Sequence, residues 1–296
     1  MPHCLAFMMN VSRYTGSNVA QALLSVLVML ALIAISSCAH PPHSGPVTTP
    51  NGAIFVDDGG SGGLPVLFIH GNGADSTQWS AQLDHLRKTR RAVAVDLPGM
   101  GNSAPAANGD YSPKANAAAV DAAVSSIGLK RFVVVGHSYG GAVAATYAAA
   151  HPEKVAAVIY ADSAASVPAM TPQMQKFVDA LRADRMKVTR MWFAPMLKPS
   201  SQAVQDRVFA TVEKSKVDAF VGALERLAGY DAKSVVNTYP GPKFVIYAAD
   251  IESPAAFRPQ FPDFPAEKIT GAGHWLMLDK PDEFNAALDK FLAQVR

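Results

Sequence analysis

Four short runs of β-branched and apolar residues, each followed directly or after a loop by a stretch that reads as helix, constrain the fold of this chain more than any other feature. They are Val66-Leu67-Phe68-Ile69, Ala92-Val93-Ala94-Val95, Phe132-Val133-Val134-Val135 and Val155 to Tyr160. A strand that is apolar at every position needs cover on both faces, and helices between strands imply parallel pairing through crossovers. The helical stretches run from Asp75 to Lys88, Ser112 to Ile127 and Tyr139 to Ala150. The rhythm breaks between Ser163 and about Tyr239, where Pro172 to Met186, Ser201 to Lys214 and Val217 to Ala228 read as helices with no strand between them. It resumes with Phe244-Val245-Ile246-Tyr247, the short run Lys268-Ile269 and a last helix from Pro281 to Gln294. The expected fold is α/β: a mostly parallel central sheet with helices on both faces, and a helical lid over about 163–239 inserted before the penultimate strand. That insertion is too long for an ordinary loop and should fold as a layer over the sheet edge.

Chemistry in such a sheet gathers at the carboxyl ends of the strands, and the composition leaves it to ordinary side chains. The chain is 49% apolar and 17% charged, a balance that buries a sizeable core and excludes wholesale disorder. A net charge of +2, with no long basic run, gives no electrostatic case for nucleic acid. Both cysteines, Cys4 and Cys38, lie within the first 38 residues, and no CxxC or HExxH spacing occurs. No metal or cofactor is expected.

Residues Ala22 to Ile35 form an apolar run of 14 that is too short to span a bilayer comfortably, with Arg13 as its basic flank. It reads as the core of a signal peptide over residues 1–37. Ile35-Ser36-Ser37-Cys38 then resembles the bacterial lipobox, which implies diacylation of Cys38 and removal of what precedes it. An uncleaved anchor helix is the alternative; both place the body outside the cytoplasm. Two acyl chains suffice for stable anchoring, at about 0.8 kcal/mol per buried CH₂. Ala39, in place of Asp, points to the outer membrane and its periplasmic side. Residues 38–52, rich in Pro, Ser, Gly and Thr, read as a flexible tether, with the folded domain over 53–296.

Gly136-His137-Ser138-Tyr139-Gly140 follows the third apolar run directly and opens a helix. This G-x-S-x-G pattern, in a strand–turn–helix setting, holds a serine hydroxyl clear of the sheet at a helix N-terminus. Three further motifs accompany it in order: His70-Gly71-Asn72-Gly73 after the first run, Asp96-Leu97-Pro98-Gly99-Met100-Gly101-Asn102-Ser103 after the second, and Gly271-Ala272-Gly273-His274 near the C-terminus. Together they resemble the α/β-hydrolase fold family, in its lid-bearing branch, over roughly 240 residues.

The resemblance implies Ser138 as nucleophile and His274 as the general base that takes its proton. It implies a buried acid after the Phe244–Tyr247 strand, for which Asp250 is the first choice; Asp162, at the end of the preceding strand, and Glu252 are the alternatives. Backbone N–H groups of Asn72 and Tyr139 would form the oxyanion hole, with Gly73 in reserve. His137 should point away from the reaction, His70 should brace its loop, and Asp96 should organise the loop that it begins. Trp79, Met186, Met191, Trp192, Phe193 and Met196 either line an apolar acyl pocket or pack the lid core.

These expectations describe a serine hydrolase acting on a small-molecule substrate with an apolar acyl group through an acyl-serine. C–C bond hydrolysis and a cofactor-free perhydrolase activity use the same three groups and remain open, as does a binding lipoprotein that has lost catalysis. Epoxide and haloalkane chemistry is disfavoured, because relatives of those kinds carry Asp where this chain has Ser138.

Overall fold

The computed structural model describes residues 43–248 and 256–295, and Cys38 and the whole signal segment lie outside them. Its centre is an eight-stranded sheet in the order β1-β2-β4-β3-β5-β6-β7-β8. The strands are β1 (His43–Thr49), β2 (Gly52–Gly59), β3 (Val66–Ile69), β4 (Ala92–Val95), β5 (Phe132–His137), β6 (Val155–Ala161), β7 (Lys243–Ala248) and β8 (Ala266–Ile269). From β4 across to β8 all pairings are parallel, while β1, β2 and β4 pair antiparallel. The fold is the expected mostly parallel α/β sheet.

Within β5 the side chains alternate between two cores. Phe132 and Val134 face one, with Val120, Val124 and Tyr147, and Val133 and Val135 face the other, with Trp79, Leu83 and Phe284. An unbroken apolar run is what a strand buried on both faces requires. The first core is covered by α2 (Pro113–Ser126) and α3 (Tyr139–Ala150), the second by α1 (Ser80–Leu86) and, at the C-terminal end, α11 (Pro281–Leu292). Each fully buried Phe or Leu contributes roughly 1.5–3 kcal/mol.

The tether expected over 38–52 is corrected from His43 onward. Residues His43 to Thr49 form β1, paired in full register with β2, so the sheet begins ten residues before the expected boundary at Ala53. Pro46 is tolerated because an edge strand leaves one side of its backbone unpaired.

Between β6 and β7 lies the expected helical insertion, built from α4 (Pro172–Ala183), α5 (Arg185–Phe193), α6 (Gln202–Lys214), α7 (Val217–Leu227) and α8 (Ala232–Thr238). The single helix expected over Pro172 to Met186 divides at Asp184. That residue leaves helical geometry (φ −148°, ψ 80°), and its carboxylate accepts from the Lys187 N–H to start α5. The cap joins both cores: Ala219, Ala223 and Leu227 enter one, Phe220 and Val212 the other. Two short helices, α9 (Phe257–Gln260) and α10 (Leu276–Asp279), complete the fold. Among the described residues no helix is long and apolar enough to cross a membrane.

Candidate active site

Ser138 is the N-cap of α3 and has φ 52° and ψ −121°. A positive φ is costly for a residue with a Cβ, of order 1–3 kcal/mol, and persists only where the surroundings enforce it. Here they do. A Cβ on Gly136 would strike the backbone of Gly140, and one on Gly140 would strike the carbonyls of Ile69 and His70. The turn from β5 into α3 is thus pressed against the end of β3. A serine at an N-cap ordinarily bonds the helix's own N–H groups; Ser138 makes no such bond, which leaves its hydroxyl for other partners.

His274 follows the turn after β8. Its Nδ1–H donates to Asp162 Oδ2 at 2.6 Å, and the side chains are 15% and 9% exposed. The carboxylate against His274 is thus that of Asp162, the alternative acid. Asp250, the expected acid, and Glu252 lie outside the described residues. The physical reason is register. His137 of β5 pairs with Ala161 of β6, so Ser138 and Asp162 leave neighbouring strands at the same level. Asp162 also has a positive φ, 41°. Its N–H donates to Ile246 at 2.8 Å, and Oδ1 accepts from the Ala248 N–H at 3.4 Å. Both oxygens of the carboxylate therefore have partners, and it is aimed at the imidazole.

The loop that carries His274 is held from three sides. Its N–H donates to the Met196 carbonyl at 3.1 Å, from the turn after α5. The Gly273 N–H donates to Asp279 Oδ2 at 2.8 Å, and Ser200 Oγ donates to the same oxygen at 2.9 Å. The His274 carbonyl accepts from His137 Nε2–H at 2.8 Å. His137 lines the same cavity as Ser138, with its Nε2 turned to the His274 carbonyl, a task that sequence gave no sign of. It is buried between Trp79 and Trp275, with its ring 4.7 Å from that of His274. Burial holds its pKa well below the usual imidazole range, and the neighbouring His274 acts in the same direction, so it stays neutral.

The loop after β3 is braced through His70. The Leu97 N–H donates to His70 Nε2 at 2.8 Å, which leaves the proton on Nδ1 to donate to the Gly71 carbonyl at 2.7 Å. Asp96 organises the following loop, as expected. Its Oδ1 accepts from the Ser76 N–H at 2.6 Å and its Oδ2 from the Asn102 N–H at 2.7 Å. Asn72 extends from the braced loop to the cap, where its Nδ2 donates to the Phe220 carbonyl at 2.9 Å. Among the described residues, the backbone N–H groups of Asn72 and Tyr139 have no protein acceptor. The Tyr139 ring is buried elsewhere, its hydroxyl held by Tyr111 and Asn116, so only its backbone faces the site.

Ser138, His274, Asn72 and Tyr139 line one cavity of 130 Å³ with Trp192, Phe193, Met196, Leu224, Leu227 and Trp275. Of the aromatic and methionine residues considered in sequence, Trp192, Phe193 and Met196 line it. Trp79 is core, packed on Phe68 and Phe284, Met186 packs against the second core, and Met191 is 71% exposed. No cluster of metal-ligating side chains occurs among the described residues.

Residues 66–287, three quarters of the chain, match the Alpha/beta hydrolase family. The chain belongs to that family. This member is 31% identical over 253 residues to a dihydrolipoyllysine-residue acetyltransferase component of the acetoin cleaving system from Cupriavidus necator. That match takes in 79% of the chain but only 64% of the longer protein. It is 27% identical to epoxide hydrolase 3 of Xenopus tropicalis, with 88% and 80% of the two chains covered. A solved esterase from Exiguobacterium antarcticum superposes with a TM-score of 0.74 at 18% identity, over 85% of this chain and all of that one. The chain is thus an alpha/beta hydrolase by sequence and by fold.

Proposed function

We propose that this chain is a serine hydrolase that cleaves a neutral carboxylic ester through an acyl-serine, with Ser138 as nucleophile, His274 as general base and Asp162 as the acid behind it. One observation carries the reading: an uncapped serine hydroxyl on a positive-φ turn shares a cavity with an imidazole whose Nδ1 is bound to a partly buried carboxylate. The Asp162 bond leaves the His274 Nε2 lone pair free to accept the Ser138 proton, and the carboxylate stabilises the imidazolium that results. Attack on the ester carbonyl builds negative charge on its oxygen, which the Asn72 and Tyr139 N–H groups would receive, each worth about 3 kcal/mol in the transition state. The proton returns to the leaving alcohol, and water then repeats the sequence on the acyl-enzyme.

A serine at the elbow favours acyl transfer over the epoxide chemistry named for one of the relatives. C–C hydrolysis and perhydrolysis would use the same groups, and no observation favours either. A fluorophosphonate probe tests the reading: covalent labelling of Ser138, lost in Ser138→Ala, is expected. An unlabelled Ser138 in folded protein would leave a binding lipoprotein as the better account.

The Ile35–Cys38 sequence further supports anchoring by diacylated Cys38 at the bacterial cell envelope, on the periplasmic side of the outer membrane. Metabolic labelling with an alkyne fatty acid should mark the wild-type chain and not Cys38→Ala; equal labelling of both would refute it.

A further inference from the structure

The cavity over Ser138 is small and, among the described residues, has no charged partner for a substrate. Its 130 Å³ is less than half the roughly 300 Å³ at which sites for drug-sized ligands begin. An apolar cavity of about 150 Å³ is filled by one benzene molecule. On that scale the space beside Ser138 holds about six non-hydrogen atoms, the reacting carbonyl included. Trp192 lines it from the cap, half-buried and held edge-on to Phe177 of α4 at 5.3 Å and against Phe193 at 4.9 Å, so this wall is itself packed from behind. Leu224 and Leu227 of α7 line another side. Among the described residues that line the cavity there is no Lys, Arg, Asp or Glu, and of its two histidines His137 is held neutral and His274 is committed to Asp162. A carboxylate on the acyl chain would lose its water there and find no cation.

We infer that the site is selective for esters of short, uncharged acyl groups of about two to six carbons, with Trp192 setting the upper limit of length. It excludes both long-chain acyl groups and acyl groups that end in a carboxylate. The inference rests on the serine-hydrolase reading above and adds size and charge to it.

Two length series on the full chain test it together: kcat/KM for p-nitrophenyl esters from acetate to dodecanoate, and the rate at which alkyl fluorophosphonates of matching length label Ser138. Both should peak at or below six carbons and fall at least tenfold by ten, and a hemisuccinate ester should be at least a hundredfold poorer than the butanoate. Trp192→Ala should raise the ten-carbon to four-carbon ratio at least tenfold, a ratio that cancels any general loss of activity. Leu227→Ala should move it in the same direction if the first variant does not fold. A wild-type profile that is flat or rises to twelve carbons would overturn the proposal, as would efficient hemisuccinate turnover or an unmoved ratio in folded variants. Length-dependent labelling without ester turnover would uphold the cavity and defeat the ester reading. No labelling by any probe would defeat the serine reading and this inference with it.

Discussion

The floor of the cavity and its roof are built by different physics. The floor is backbone: Ser138 stands on a turn where Gly136 and Gly140 admit no Cβ, beside the N–H groups of Asn72 and Tyr139, which have no protein acceptor among the described residues. The roof is side chain, consisting of Trp192, Phe193, Leu224 and Leu227 on helices and Met196 on the turn after α5, in a cap joined to the rest of the domain by polar ties. Those ties include Asn72 Nδ2 to the Phe220 carbonyl, the Lys216 N–H to the Gly99 carbonyl at 2.8 Å, and the His274 N–H to the Met196 carbonyl. A backbone that is crowded on every side tolerates almost no variation, whereas an apolar wall keeps its function while its residues exchange. On the proposed reading, the floor would fix the reaction and the roof what enters it.

The comparison breaks most directly at the floor. Ser138→Ala should lower kcat/KM by about 10⁴–10⁶ while the urea midpoint holds or rises. Next comes Asp162→Asn, which should cost about 10⁴ in kcat by leaving the imidazole in the wrong tautomer. Asp250→Asn is the control, expected to stay within a few-fold of wild type. If those two effects were exchanged in an ester assay, the acid would have to be reassigned despite the 2.6 Å bond to Asp162.

That assignment marks where sequence stopped being informative. Ser138, the glycines around it and His274 were legible because each motif records a local demand of the backbone: a turn with no room, or an imidazole after a Gly-Ala-Gly approach. Asp162 and Asp250 both follow apolar strands, and nothing local separates them. What selects Asp162 is the pairing of His137 with Ala161 across two strands distant in sequence. His137 as the donor to the His274 carbonyl, and Asp279 as the acceptor for Gly273, are likewise products of tertiary contact. At the other end of the domain, β1 was hidden because HSGPVTT holds Gly, Ser and Pro, which an edge strand tolerates and a strand reading of the sequence penalises. The cap boundaries were visible as a loss of strand rhythm. The break at Asp184 was not, because an Asp inside a helical pattern signals a cap only once the chain is seen to turn there.

The roof should yield stability changes rather than loss of chemistry. Phe220 is fully buried, lies against Gly73 and presents its carbonyl to Asn72. Phe220→Ala should cost about 3–5 kcal/mol of stability, read from chemical denaturation. A loss below 1 kcal/mol would mean that the cap is not packed on the floor as described. A smaller effect comes from His137, which is held neutral in the folded chain by burial and by the neighbouring His274. Unfolding restores an ordinary imidazole, so below about pH 6.5 the unfolded chain takes up a proton that the folded chain refuses. The stability is complete above that pH and declines as pH falls, by up to about 1.4 kcal/mol per pH unit. His137→Gln, which keeps a donor for the His274 carbonyl, should flatten the dependence of the urea midpoint on pH between 6.5 and 5. Equal slopes in the two proteins would show that His137 titrates normally.

The smallest expected effect sharpens the comparison most, because it falls where floor meets roof. Asn72 contributes its backbone N–H to the floor and its side-chain amide to the roof, and Asn72→Ala removes only the second. The lost bond to Phe220 should cost about 1 kcal/mol of stability. Activity on a short ester should fall less than tenfold, since deleting a true oxyanion donor costs about 10²–10³ in kcat. The side chain has one further feature: its Oδ1 is buried with no partner among the described residues, so alanine also removes an unsatisfied acceptor and the net stability loss should be at the low end. A loss of a hundredfold or more in a variant with an unchanged denaturation midpoint would reverse the division drawn here. It would mean that the amide tie to Phe220 sets the aim of the N–H, and that the cap takes part in the chemistry as well as in the choice of substrate.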